Sequence, residues 1–127
     1  MTAQERLYTP ASANRALPLV RSIVDDILAR AREVRSLTAL SRDPATDPEV
    51  AAQWKDIRDL VEELAGLGVE FKDPSLEIGL VDFPGEIDGE PVHLCWRRDE
   101  ETVTHYHGRD EGFASRKPIP GELLGEG

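Results

Sequence analysis

The chain has 127 residues and a formal net charge of −10, enough length for one domain that buries roughly two-thirds of its unfolded surface. So acidic a chain, with no basic stripe, argues against nucleic acid and against anionic membrane surfaces as partners, and no run of about eighteen apolar residues is present to span a membrane. The single cysteine, Cys95, excludes an internal disulfide and fits a reducing compartment; with the polar start Met1–Arg6 leading into no apolar signal region, the expected location is cytoplasmic.

Residues 1–8 read as a loose lead-in. Thr9-Pro10 reads as a helix start, with Thr9 as cap and Pro10 at the first helical position, where its missing N–H costs nothing. Ala13, Leu17, Val20, Val24, Ile27, Ala31 and Val34 then recur at alternating spacings of four and three, which is a heptad seam. Pro18 inside this stretch predicts a kink or a short break. Ser41 to Pro48 is a connector, and Asp47-Pro48 opens a second helix whose seam is Val50, Trp54, Ile57, Val61 and Leu64. Gly66 is expected to end it as a left-handed cap. Two seams joined by a polar loop predict an antiparallel helical hairpin over about residues 9–66, with one side of the seams left for the second half of the chain or for a second copy.

The periodicity changes at Gly68. Val69-Glu70-Phe71 alternates, and Leu80 to Ile87, Pro91 to Arg97 and Thr102 to His107 read as short strands, giving a three- to four-stranded antiparallel β-meander over about 68–108. Asp88-Gly89 is a favoured two-residue hairpin turn. Residues 109–127 read as irregular, frayed after Lys117. The expected class is α+β in a single domain.

The Asp88-Gly89 turn sets Phe83 opposite Leu94, Val81 opposite Trp96 and Asp82 opposite Cys95. Val81, Phe83, Val92, Leu94 and Trp96 then share the face that packs on the helices. Asp82, His93 and Cys95 share the other, and an acid, an imidazole and a thiol together are ingredients of a metal or nucleophile site. An odd loop or a bulge after Arg97 adds His105 and His107 to that face, whereas an even loop sends both to the apolar face. The candidate ligand set is Asp82, His93, Cys95, His105 and His107, with zinc or iron as the metal that suits N, S and O donors. The alternative is that these are half-buried structural histidines and that Cys95 is a small buried hydrophobe.

Arg97 and Arg116, with His107, form a second candidate, an anion-binding corner; Gly112-Phe113 suggests a tight bend whose aromatic ring aims Arg116 inward. The competing reading is an ordinary ion pair of Arg116 with a carboxylate. No glycine-rich phosphate loop, G-x-S-x-G or C-x-x-C is present, and the helices carry no Glu-x-x-His pattern of di-iron bundles.

Gly79-Leu80-Val81-Asp82-Phe83, Leu94-Cys95-Trp96-Arg97, Glu100, His107 and Gly112-Phe113-Ala114 with Arg116, together with Tyr8-Thr9-Pro10, Ala13-Asn14 and Leu17-Pro18-Leu19-Val20, resemble a prokaryotic family known as domain of unknown function 2203. The likeness covers nearly the whole chain in order. The family pattern has Gly in place of Asp99 and Trp in place of Tyr106. The resemblance implies no reaction. Three functions follow as expectations: a non-catalytic binding or assembly module, homodimeric through the hairpin; a metal-binding protein or metalloenzyme; and a small-anion binder using Arg97 and Arg116.

Overall fold

The computed structural model describes residues 7–124. Helix α1 spans Pro10–Leu40. Its cap is reciprocal: the Ser12 N–H donates to Thr9 Oγ1 at 3.1 Å and the Thr9 N–H donates to Ser12 Oγ at 2.9 Å. This satisfies two of the donors that a helix start leaves without partners. No break interrupts α1 at Pro18; Pro18 faces solvent, where the loss of one backbone bond is least costly. All seven seam residues of α1 are buried.

A 3-10 turn, Pro44–Thr46, crosses to α2, Pro48–Gly66. Asp47 Oδ1 caps α2 by accepting from the Glu49 N–H at 2.9 Å. Val50, Ile57 and Leu64 are buried, but Trp54 keeps 39 % of its surface exposed. The left-handed residue at the end of α2 is Gly68, at φ +79°, not Gly66, which remains helical. Gly68 N–H bonds the Ala65 carbonyl and Val69 N–H bonds the Leu64 carbonyl. Such closure of the last turn needs a positive φ two residues later than expected.

Five strands follow: β1 Glu70–Phe71, β2 Leu80–Ile87, β3 Glu90–Arg97, β4 His105–Gly108 and β5 Lys117–Pro118. They form one antiparallel sheet in the order β1-β2-β3-β4-β5. A short helix α3, Gly121–Leu124, ends the described chain. The architecture is α+β, a helical hairpin followed by a meander. Asp88 and Gly89 both have positive φ, +52° and +80°, as the tight hairpin turn requires, and Asp82 pairs with Cys95 as expected.

The apolar face of β2 and β3 joins the buried stripe of α1 in one core, with Trp96, Phe83, Leu94 and Val81 fully buried. Two segments that read as loose are part of this core. Tyr8 is buried, its N–H bonding the Pro84 carbonyl and its carbonyl accepting from Glu86 N–H, and its ring meets Phe83 edge-on at 5.1 Å. The lead-in 1–6 lies outside the described residues. Past Lys117, Ile119 is buried and its N–H donates to the Thr104 carbonyl at 2.8 Å. The fifth strand, this anchor and helix α3, whose Leu123 and Leu124 pack against the core, replace the expected frayed tail through residue 124. What the composition around 117–121 concealed is that β4 offers a free edge for this segment, which Ile119, with Leu123 and Leu124 packed against the same core, then holds in place.

Candidate metal centre

The strand expected from Thr102 begins only at His105. Val103 is fully buried in the core while Tyr106 packs against the same core. Two residues three apart cannot share a face of a regular strand, so the chain changes phase between them. The consequence is the register Cys95↔His105 and His93↔His107. It places both histidines on the polar face with Asp82, His93 and Cys95. The seven-residue connection from Arg98 to Thr104 is odd, the alternative that the turn chemistry alone made less comfortable.

Of the five candidate ligands the fold brings three together. Donor atoms of Asp82, His93 and His107 all lie within 4.8 Å of one another, the group of this kind among the described residues. Asp82 and His107 are buried and His93 is half-buried. His107 Nε2 stands 3.2 Å from each oxygen of Asp82. His93 Nδ1 stands 3.5 Å from Asp82 Oδ2. The two imidazoles are 5.4 Å apart and nearly perpendicular, at 86°. His107 Nδ1 is 2.9 Å from the Gly108 carbonyl oxygen. Burial holds His93 below the usual imidazole range; the neighbouring Asp82 carboxylate opposes that shift without overcoming it. A histidine that resists protonation keeps its lone pair for other work.

Cys95 lies on the same face but outside this group. It is fully buried, and burial, with the negative charge of Asp82, pushes its thiol up to about 12. His105 turns aside as well: its Nδ1 is 2.9 Å from Thr104 Oγ1 and 3.9 Å from Glu100 Oε2.

The two arginines of the anion reading both have carboxylate partners. Arg116 Nη2 reaches Glu100 Oε1 and Oε2 at 2.8 and 2.7 Å, and Arg97 Nε donates to Asp99 Oδ1 at 2.9 Å. Glu100 also accepts from the Arg97 N–H at 2.8 Å. Both guanidinium groups lie over the Phe113 ring, at 5.2 Å for Arg97 and 4.7 Å for Arg116. The pair therefore holds an aromatic ring against the sheet, and His107 belongs to Asp82.

Above Asp82, His93 and His107 opens a pocket of about 320 Å³ whose walls include Lys72, Leu80, Arg109 and Phe113. Glu111 and Gly112 complete its rim, and Glu111 Oε1 accepts from the Gly108 N–H at 2.8 Å. Gly108 thus bonds the rim carboxylate through its N–H and the His107 ring through its carbonyl. Lys72, Arg109 and Glu111 carried no signal in the sequence, because a strand end and a loop far apart in the chain meet only in the folded sheet.

Among the described residues no helix is long and apolar enough to cross a membrane. A family model described as "Uncharacterized conserved protein (DUF2203)" matches residues 6–119. No curated protein and no solved structure matches the chain.

Proposed function

The chain belongs to this family, whose description names no reaction, and from the geometry of the sheet's polar face we propose that it binds a divalent transition metal, zinc or iron, through Asp82, His93 and His107. The supporting observation is the setting of His107. Its Nδ1 is in hydrogen-bond contact with a carbonyl oxygen, which can only accept, so Nδ1 carries the proton. In the neutral ring Nε2 then presents a lone pair to two carboxylate oxygens that also carry only lone pairs. A positive species between them removes that repulsion: a second proton or a metal ion.

The distances accommodate the metal. A charge-assisted N–H···O bond to one oxygen runs about 2.7–2.9 Å, and the 3.2 Å found to both oxygens fits either a proton shared between them or a metal. Two donors sharing one metal at about 2.0–2.2 Å stand about 3.0–3.5 Å apart. The backbone carbonyl on Nδ1 is also the outer partner that ligating histidines commonly use to fix ring orientation. Two imidazoles and one carboxylate suit zinc with an open position or mononuclear iron(II).

Elemental analysis of protein purified without a histidine tag tests this. Metal near one equivalent, lost in His93→Ala and His107→Ala, is the expected result. Folded, metal-free protein whose thermal midpoint is indifferent to zinc, iron(II) and chelator overturns it.

Self-association through the helical half is a second reading, and it rests on Trp54. With Ile57, Val61, Phe71, Pro74 and Leu76 it lines a mainly apolar groove of about 620 Å³ beside α2. The seam of α1 offers no such surface, being buried within the chain. Light scattering of the wild type and Trp54→Glu decides: a dimer that dissociates in the variant supports it, and a wild type that stays monomeric at high concentration removes it.

A further inference from the structure

We propose that the pocket over Asp82, His93 and His107 takes a small carboxylate, bound by its oxygens to the metal and by its carbon skeleton between Leu80 and Phe113. This rests on the metal reading above. Three protein ligands leave a metal with at least one open position. Here any such position on the solvent side meets the pocket, because the sheet and the helices behind it fill the other.

The charge of the pocket selects an anion. Asp82 neutralises half of a divalent ion, and His93 and His107 add no negative charge. Lys72 and Arg109 line the wall. Glu70 pairs with Lys72 at 3.0 Å, so these two charges offset each other, and the rim carboxylate of Glu111 accepts from the Gly108 N–H. With the metal in place, the divalent ion and Asp82 together carry one net positive charge in a chain whose overall charge is −10, and such a centre attracts and orients a small anion.

Size and lining narrow the class. About 320 Å³ is at the small end of ligand sites, which run about 300–1,000 Å³. Leu80 and Phe113 add apolar surface that an inorganic oxyanion does not use and a short carbon chain does. Phe113, 38 % exposed, stacks against the guanidinium groups of Arg97 and Arg116. That gives the arginine pair a role in shaping the site without contacting the anion.

Cobalt(II) supplies the test, since its visible spectrum reports ligand exchange at the metal. The cobalt-loaded protein is titrated with pyruvate and with inorganic phosphate. The expected result is a saturable spectral change with pyruvate at lower concentration than with phosphate. Lys72→Ala should weaken pyruvate about fivefold, the scale of one partly exposed charge, with cobalt affinity unchanged. Phe113→Ala should weaken pyruvate and leave phosphate as it was. Stoichiometric cobalt whose spectrum ignores pyruvate at about 10 mM, well above a millimolar Kd, overturns the carboxylate inference and leaves the metal reading standing. Tighter binding of phosphate, or indifference of pyruvate to Phe113→Ala, also overturns it. Failure to bind cobalt overturns the metal reading itself, and this inference with it.

Discussion

The side-chain amide of Asn14 pairs with both backbone groups of Val103: Nδ2 donates to the Val103 carbonyl at 3.1 Å, and Oδ1 accepts from the Val103 N–H at 2.8 Å. A residue on the first turns of α1 thereby does for Val103 what a neighbouring strand would do. Val103 stays in the core without joining the ladder, and the chain re-enters the sheet at His105 in the phase that brings His107 to Asp82. Asn14→Leu removes both bonds and leaves a partly buried peptide without partners, at a cost of about 2–3 kcal/mol. Denaturant unfolding measures it. Asn14→Asp keeps the acceptor and loses the donor, and should fall between the two; equal midpoints for wild type and Asn14→Leu would show that Val103 is held by packing alone.

His107 and His105 sit two residues apart on one strand face, yet only His107 meets Asp82. His107→Ala should abolish metal binding, while His105→Ala should keep it within about tenfold, as expected for a residue outside the ligand set. Isothermal titration with zinc checks this. Equal losses in both variants would place the metal nearer Cys95 and His105 than proposed.

Cys95 should behave as a buried thiol, not a nucleophile. With its pKa at about 12, native protein should resist iodoacetamide at pH 8 and react after unfolding, since the thiolate is the reactive form. The folded state holds this proton more tightly than the unfolded chain. The associated stability is therefore complete below the unfolded thiol pKa of about 8.5 and is lost as pH rises from there toward 12. Rapid alkylation of the native protein at pH 8 would contradict the burial.

Asp73 closes the turn before β2. It is buried, and burial alone pushes its carboxyl up; hydrogen bonds from the Ser75 hydroxyl and from the Gly79, Ile78 and Ser75 N–H groups outweigh that and hold it below the usual carboxylate range. A depressed acid contributes stability that is present above its unfolded pKa of about 3.9 and lost as pH falls through the folded value. Asp73→Asn puts an amide against donors and should cost about 2–3 kcal/mol at pH 7. The difference from wild type should shrink below about pH 4. A difference that does not change between pH 7 and pH 3 would show that charge is not what the turn uses.

Local chemistry made much of this molecule legible. Heptad spacing gave the two helices, because burial of one face needs nothing beyond the chain itself. Asp88-Gly89 gave the β2–β3 register, because a two-residue turn with two positive φ values admits one pairing. Asp82 and His93 followed on one face by alternation. What local chemistry left open was the partner of that face. Whether His107 reaches Asp82 depends on the phase of β4, which no turn residue between Arg98 and Thr104 specifies. The tertiary structure decides it through Val103, drawn into the core and pinned by Asn14 from a helix eighty-nine positions away. The burial of Tyr8 and Ile119 has the same origin: neither belongs to a periodic apolar pattern, and the place of each is set only once the assembled sheet and helices leave a space of its size.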